Sequence, residues 1–176
     1  MRLIRYNSDI EKEDIFYHVL MPHHAYEMSV LSYQSQTGIK EPDIYSNEIN
    51  EFIHSKQQWL NEEVFIEDSN FKGLIAFDKD EKALGYILWK EEKDNEVEIT
   101  EVFQLPGELY VGSQLLKYFV EFISYDQETI KLLVLENNLR VYKKLGFELC
   151  NSSNLSDENC FKMRTTQQHL RAIIDS

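Results

Sequence analysis

The side chains best suited to proton transfer in this chain are a tyrosine and two glutamates. Tyr142 stands in the run Tyr-Lys-Lys-Leu-Gly-Phe, and Glu98 and Glu101 stand in an alternating segment nearer the N-terminus. Phenols and carboxylates are both side-chain types that give or take protons in enzymes. The use that the protein makes of them depends on the strands and helices that position them.

An alternating strand pattern decides which of the two glutamates is the better base. Between Glu96 and Leu105, Val97, Ile99, Glu101 and Phe103 form one predicted face, and Glu98, Thr100, Val102 and Gln104 form the other. Because successive strand residues point to opposite sides, at most one glutamate can face a cleft. Glu101 shares the apolar face, where burial makes a carboxylate a stronger base. We predict Glu101 as the general base, and a solvated or salt-bridged role is the alternative.

The segment from Ile130 to Glu148 predicts a strand, a short helix and a second strand. The apolar run from Ile130 to Leu135 is typical of a strand covered on both faces. Asn137 or Asn138 can cap the following helix, and Gly146 can end it. This pattern indicates an α/β protein.

The run from Tyr142 to Phe147, with Asn137 and Asn138 ahead of it, resembles the late half of the GCN5-related N-acetyltransferase (GNAT) family. The same residues also fit simple packing, with a half-buried tyrosine, solvated lysines and a glycine that ends the helix. The resemblance covers roughly residues 3–164. It implies an α/β (α+β) fold with a GNAT-like mixed, mostly antiparallel central sheet flanked by helices.

The rest of the chain predicts elements in the order that the resemblance implies. We expect one domain over residues 1–176, with its core at about 3–164 and a C-terminal helical extension at 165–176. The predicted strands are Leu3–Tyr6, Gly73–Asp78, Ala83–Trp89, Glu96–Leu105, the Ile130 strand, a strand from Phe147 and Cys160–Arg164. The predicted helices are Ile10–Leu20, His24–Tyr33, Ser46–Glu62, Ser113–Ser124 and Gln167–Ile174.

The resemblance implies acetyl-CoA as co-substrate and a site for each of its parts. The pyrophosphate would lie on backbone N–H groups at a helix start. The residues in question are Leu109, Tyr110, Val111, Gly112 and Ser113, of which Gly112 alone matches the family motif well. Tyr110 replaces a glycine there, and Glu108 adds negative charge. The alternative is a Pro-Gly turn before a helix capped by Ser113.

The other coenzyme contacts and the acid also follow from the resemblance. The fourth strand would splay from the Ile130 strand so that its backbone pairs with pantetheine, and Tyr142 would protonate the departing thiolate. The implied contacts to the coenzyme are Phe103, Gln104, Leu105, Asn137, Asn138, Tyr142 and Lys144. No spacing of histidine, cysteine and acidic residues predicts a metal site.

The composition limits the partners. The 176 residues include 18 Lys and Arg against 31 Asp and Glu, a formal charge of −13. Such a chain repels nucleic acid and anionic membranes, and it favours a cationic partner such as an amine. No segment approaches the roughly 20 apolar residues of a membrane span, and no signal peptide is evident, so we predict a cytoplasmic protein. A homodimer is compatible with the resemblance.

Two functions are therefore predicted. The first is an N-acetyltransferase that moves an acetyl group from acetyl-CoA to a primary amine of a small molecule or peptide. The alternative is a non-catalytic GNAT-like module that senses CoA or binds protein. The degenerate phosphate motif is what motivates the alternative.

Overall fold

A seven-stranded sheet organises the molecule. The computed structural model describes residues 14–123, 128–154 and 160–175. The strands are β1 (Phe16–Val19), β2 (Phe71–Phe77), β3 (Ala83–Glu91), β4 (Glu96–Gln104), β5 (Thr129–Leu135), β6 (Glu148–Asn154) and β7 (Cys160–Thr166). Their order across the sheet is β1-β2-β3-β4-β5-β7-β6. Among these strands β4 and β5 pair in parallel and the other neighbours pair antiparallel.

Five helices pack on the two faces of this sheet in the described part of the chain. They are α1 (Ala25–Thr37), α2 (Asn47–Trp59), α3 (Leu109–Phe122), α4 (Leu139–Lys144) and α5 (Gln167–Ile174). One face is marked by Trp89, whose ring meets Phe119 and Phe122 of α3 at centroid distances of 4.9 and 5.6 Å. Tyr86 marks the opposite face. On that face Lys56 of α2 contacts Glu101, which is the partner of the Tyr86 hydroxyl, and α1 packs on β3 and β4. The predicted mixed, mostly antiparallel sheet flanked by helices is confirmed.

The N-terminal part of the sequence prediction is wrong where it can be compared. Residues 3–6 lie outside the described residues. The helix expected over residues 10–20 is contradicted by β1, in which Phe16 pairs with Phe77 of β2. Pairing with the edge of a large sheet overrides a weak helical spacing, because strand stability comes from cross-strand contacts and not from the local pattern.

Part of the strand β5 is covered on one of its two faces and exposed on the other. Ile130, Leu132 and Val134 are buried, but Leu133 between them is 53% exposed. The expectation of a strand covered on both faces is therefore wrong for this strand. The helix α1 packs on β3 and β4, and α2 packs on α1.

The helix α4 ends as the sequence predicts. Gly146 follows it with a φ of 90°, a left-handed conformation that glycine adopts without steric cost. A Cβ at this position would also collide with the ring of His169 on α5. Gly146 therefore fixes both the end of α4 and the close approach of α5.

Candidate active site

The sheet opens between β4 and β5. The two strands pair from Glu96 opposite Thr129 to Ile99 opposite Leu132, and no pairing continues although β4 runs five residues further and β5 three. The expected splay of the two strands is confirmed. The gap exposes the backbone edge of β4 to an extended ligand, which can pair with it as an additional strand does.

A β-bulge in β4 lies where the strands part. Leu88 of β3 is opposite Glu101 while Trp89 is opposite Ile99, so Thr100 is an extra residue in β4. An extra residue of this kind changes which side the following side chains face. Glu101 and Phe103 therefore lie on the Tyr86 side of the sheet, whereas Ile99 lies on the Trp89 side.

The bulge corrects two predictions about the glutamates. Glu101 does not share a face with Val97 and Ile99, and Glu98 does not lie on the face opposite to Glu101. Glu98 is opposite Lys90 and Glu101 is opposite Leu88, two residues that lie on the same side of β3. Burial, together with the neighbouring carboxylate of Glu92, raises the pKa of Glu98.

Glu101 is held by two neighbours. Its Oε2 forms an ion pair with the ammonium group of Lys56, and its Oε1 accepts a hydrogen bond of 3.0 Å from the Tyr86 hydroxyl. The Lys56 and Glu101 side chains are only 14% and 13% exposed. Burial and the Glu101 carboxylate raise the pKa of Tyr86 well above its usual range, so the phenol remains a donor. Each carboxylate oxygen therefore already has one partner.

The first turn of α3 forms the candidate phosphate site. The helix begins at Leu109 after a turn at Pro106 and Gly107, so the expectation of a loop reaching to Ser113 is wrong. Glu108, and not Ser113, precedes the first helical residue, and its side chain does not cap the helix. The N–H donors at the start of a helix suit an anion, and of these the Val111 N–H donates to the Glu108 carbonyl at 3.0 Å.

A side chain of β4 already occupies one of these donors. The Gly112 N–H donates to Oε1 of Gln104 at 2.8 Å. A Cβ at Gly112 would collide with the same amide oxygen. A phosphate oxygen that binds this N–H must first displace Gln104.

Tyr110 and Glu108, the two side chains expected to disfavour a phosphate here, take different positions. Tyr110 is half-buried against the main core close to Tyr17, so its ring is directed partly into the protein. Glu108 keeps a buried carboxylate oxygen with no hydrogen-bond partner within the described residues. The negative charge of the Glu108 carboxylate would repel a phosphate at this helix start.

The backbone edge of β4 offers fewer donors than the sequence predicted. The Leu105 N–H donates to the Leu84 carbonyl at 2.9 Å, so it takes part in the sheet and not in the cleft. The Gln104 N–H has the Ser35 hydroxyl of α1 as its partner at 3.5 Å, a long and weak contact. A pantetheine carbonyl could replace the Ser35 hydroxyl as the acceptor for the backbone N–H of Gln104.

Tyr142 lies on α4, which follows β5 after a turn at Glu136–Asn138. Its ring packs on the main core and meets Phe147 edge-on at a centroid distance of 5.7 Å. Burial raises the pKa of the Tyr142 phenol. A phenol in this state is protonated at neutral pH and can donate its proton.

The remaining predicted contacts lie around α4. Asn138 is exposed and precedes the first residue of α4, without a hydrogen bond from its side chain to the helix. Lys144 is exposed in the last turn, where a cation also interacts favourably with the helix dipole. The side chain of Asn137 lies outside the described residues.

Sequence reasoning missed Lys56, Tyr86 and the side-chain role of Gln104. Lys56 is one of many charged residues on a helix, and no local pattern links it to a strand 45 residues away. Tyr86 stands in an apolar strand, where a tyrosine is typical of a core residue. No glycine or proline near Thr100 indicates a bulge. The sequence therefore did not predict the strand register that places Tyr86 and Glu101 on the same side of the sheet.

Comparison with known proteins gives the fold. No protein-family model matches the sequence, and no curated protein is significantly similar to it. Among solved structures, the chain is similar to the PaiA N-acetyltransferase of Thermoplasma acidophilum in complex with coenzyme A, with 23% identity, a TM-score of 0.61 and coverage of 86% of this chain and 98% of that one.

Two further structures agree. A chimera of the spermidine N-acetyltransferase SpeG from Vibrio cholerae and hSSAT matches with 13% identity, a TM-score of 0.63 and coverage of 89% and 98%. A GNAT-family protein from Desulfovibrio desulfuricans matches with 13% identity, a TM-score of 0.64 and coverage of 87% and 99%. At these identities the comparisons show that the chain has the GNAT fold.

Within residues 14–123, 128–154 and 160–175, no helix has the length and apolar character that crossing a membrane requires.

Proposed function

We propose that this protein is an acetyl-CoA-dependent N-acetyltransferase that acts on a primary amine. The observation that carries the proposal is the parting of β4 and β5 beyond Ile99 and Leu132, with α3 starting at one side of the gap and Tyr142 following the other. The solved structures of similar fold include N-acetyltransferases, one of them crystallised with coenzyme A, and these likenesses support the proposal.

Each part of the coenzyme has a proposed partner. The pantetheine arm would pair with the β4 edge around Phe103 and Gln104, and the pyrophosphate would lie on the N–H groups from Leu109 to Ser113. Tyr142 would give its proton to the departing thiolate, and Asn138 and Lys144 would border the coenzyme. Bound acetyl-CoA supplies an activated thioester, so the protein has to orient the thioester, remove protons from the acceptor nitrogen and provide one for the thiolate.

The acceptor amine must lose a proton before its nitrogen can attack the thioester. We assign this proton to Glu101 or to a water beside it. In the reaction a C–N bond forms, the C–S bond breaks, and the thiolate takes a proton from Tyr142. The second proton that the nitrogen loses on becoming an amide restores the Tyr142 phenol through solvent. Both oxygens of Glu101 already have a partner, in Lys56 and Tyr86, so the amine or water would have to reach a lone pair that these contacts leave open.

Calorimetric titration with acetyl-CoA, followed by an amine screen with detection of free thiol, tests the proposal. Micromolar binding with thiol release that depends on the amine would support it. No binding at millimolar acetyl-CoA would contradict it. Binding without turnover on any amine would favour a CoA-sensing module.

The sensing or protein-binding alternative has an observation of its own. Gln104 blocks a donor of the candidate phosphate site, and Glu108 places a carboxylate at the same helix start. A site in this state would bind the coenzyme weakly. The decisive comparison is between the coenzyme A affinity of the wild type and that of a variant with a shorter side chain in place of Gln104.

We expect Gln104→Ala to strengthen coenzyme A binding about three- to tenfold, because one competing hydrogen bond has a net value of about 1 kcal/mol. The measurement is calorimetry with coenzyme A and with pantetheine. The gain should appear for coenzyme A alone, since pantetheine lacks the pyrophosphate. Gln104→Glu is the control, and its added charge should weaken binding.

The Gln104 variant is a cleaner probe than a change at Tyr110. Removing the Tyr110 ring would also remove packing against the core. Weaker coenzyme A binding by Gln104→Ala would mean that the amide is itself a ligand, which would contradict the assigned competition.

A further inference from the structure

The ammonium group of Lys56 lies between a carboxylate and two aromatic rings. It pairs with the Glu101 carboxylate and lies 4.8 Å from the ring centroid of Trp59 and 5.9 Å from that of Phe103. A carboxylate and aromatic faces are the groups with which proteins bind alkylammonium ligands. The occupant here is a side chain of the same protein.

The cation site lies beside the point at which β4 leaves β5. Glu101 and Phe103 follow directly on the bulge at which β4 leaves β5. Tyr86 holds the second oxygen of Glu101 from β3, and its ring meets Phe103 edge-on at a centroid distance of 5.6 Å. An acceptor amine that enters beside β4 therefore approaches a carboxylate that is already neutralised.

Resting on the function proposed above, with the water beside Glu101 as the base, we propose that Lys56 determines acceptor specificity by filling the place where a second ammonium group of an acceptor would bind. The wild-type protein then selects acceptors with one amino group over diamines and polyamines. This sets it apart in substrate class from a spermidine acetyltransferase, although the fold is similar.

The energetics of the ion pair make the proposal testable by binding. Shortening Lys56 leaves the nearly buried Glu101 without its cation, which is unfavourable. A diamine can supply the missing charge, and a ligand that binds the folded state raises its stability. The probe is 1,4-diaminobutane, whose four carbons match the stem of the deleted lysine.

The experiment compares wild type, Lys56→Ala and Lys56→Arg in calorimetric titration and thermal unfolding with 1,4-diaminobutane. We expect Lys56→Ala to bind at least about tenfold more tightly than wild type, a difference of 1.4 kcal/mol. Its melting temperature should rise with the diamine. Lys56→Arg keeps a cation in the site and should behave like wild type. Adding Glu101→Gln to Lys56→Ala should abolish the gain.

A second variant guards against loss of folding. Lys56→Gln keeps the side-chain volume and a donor for Glu101, and it should show a smaller gain in the same direction. Equal diamine binding by wild type and Lys56→Ala, or no binding by Lys56→Ala and Lys56→Gln, would overturn the proposal. A gain that survives Glu101→Gln would overturn it as well.

The binding readout separates this inference from the proposed function. Where acetyl transfer is detected, the ratio of kcat/KM for 1,4-diaminobutane to that for n-butylamine should rise in Lys56→Ala. If the binding pattern holds but no variant transfers acetyl groups, the cation site stands and the acetyltransferase proposal fails. If transfer occurs with the binding pattern unchanged between variants, the role of Lys56 fails alone.

Discussion

Replacing Tyr142 with phenylalanine is expected to lower kcat for acetyl transfer by about 10²- to 10⁴-fold, the range that general acid catalysis contributes. The ring packs on the core and against Phe147, so phenylalanine should keep the fold and the affinity for acetyl-CoA. The loss should therefore appear in kcat and not in coenzyme binding. Steady-state kinetics with the best acceptor of the screen, together with calorimetry, measure the two effects.

The pH profile gives an independent readout of the same role. Burial raises the pKa of the Tyr142 phenol, so its acid form persists through the alkaline range. Activity that requires the protonated phenol should fall only above about pH 10, the ordinary value for tyrosine. The Tyr142→Phe protein should lack this alkaline decline.

A matched control is Tyr45→Phe, which makes the same chemical change at a side chain that is 86% exposed. It should leave kcat and the pH profile unchanged. If Tyr142→Phe keeps full turnover, the thiolate takes its proton from water or another group. The cleft between β4 and β5 would not be affected by that result.

The sequence predicted the elements of the fold well wherever the pattern was strong. The meander from β2 to β4, the helices α1 and α2 and the end of α4 at Gly146 all follow from periodicity and from one left-handed glycine. The splay of β4 from β5 was predicted through the family resemblance. These features depend on local chemistry or on an arrangement that a short motif identifies.

The failures share a different cause. β1 forms where a helix was expected, because its partner on β2 lies about 60 residues further along the chain and is not visible locally. The bulge at Thr100 inverts the facing of Glu101, because one extra residue in a strand changes the side of every residue that follows it. Long-range register was therefore the missing information in both cases.

The contacts within the candidate site could not be predicted from the sequence. The sequence did not show that Glu101 forms an ion pair with Lys56 or that the Gln104 side chain accepts from the Gly112 N–H. Both contacts join residues of different elements. They define which ligands can bind, because a ligand has to compete with a group that the protein already supplies.

The largest expected effect on stability is that of Trp89→Ala, which should lower the free energy of unfolding by about 3–5 kcal/mol, the usual cost of removing a large buried aromatic side chain. Trp89 is fully buried and its ring packs against Phe119 and Phe122. Urea unfolding followed by circular dichroism measures the change. Trp59→Ala, at a position 36% exposed, should cost less.

Trp89→Phe separates the packing of the ring from the chemistry of the indole. The Trp89 Nε1 is buried without a hydrogen-bond partner in the described part of the chain, and such a donor is itself unfavourable. Phenylalanine removes that donor and keeps an aromatic ring against α3, so its cost should be well below that of alanine. Equal losses for the two variants would contradict this account.

The same pair of variants tests whether the sheet positions the phosphate site. Trp89 supports the C-terminal half of α3, and the candidate donors lie in the first turn of that helix. If α3 holds those donors as a rigid element, Trp89→Ala should weaken coenzyme A binding even under conditions in which the variant is fully folded, whereas Trp89→Phe should retain it. Unchanged affinity in folded Trp89→Ala would mean that the turn at Gly107 and the contact with Gln104 are enough to position the helix start.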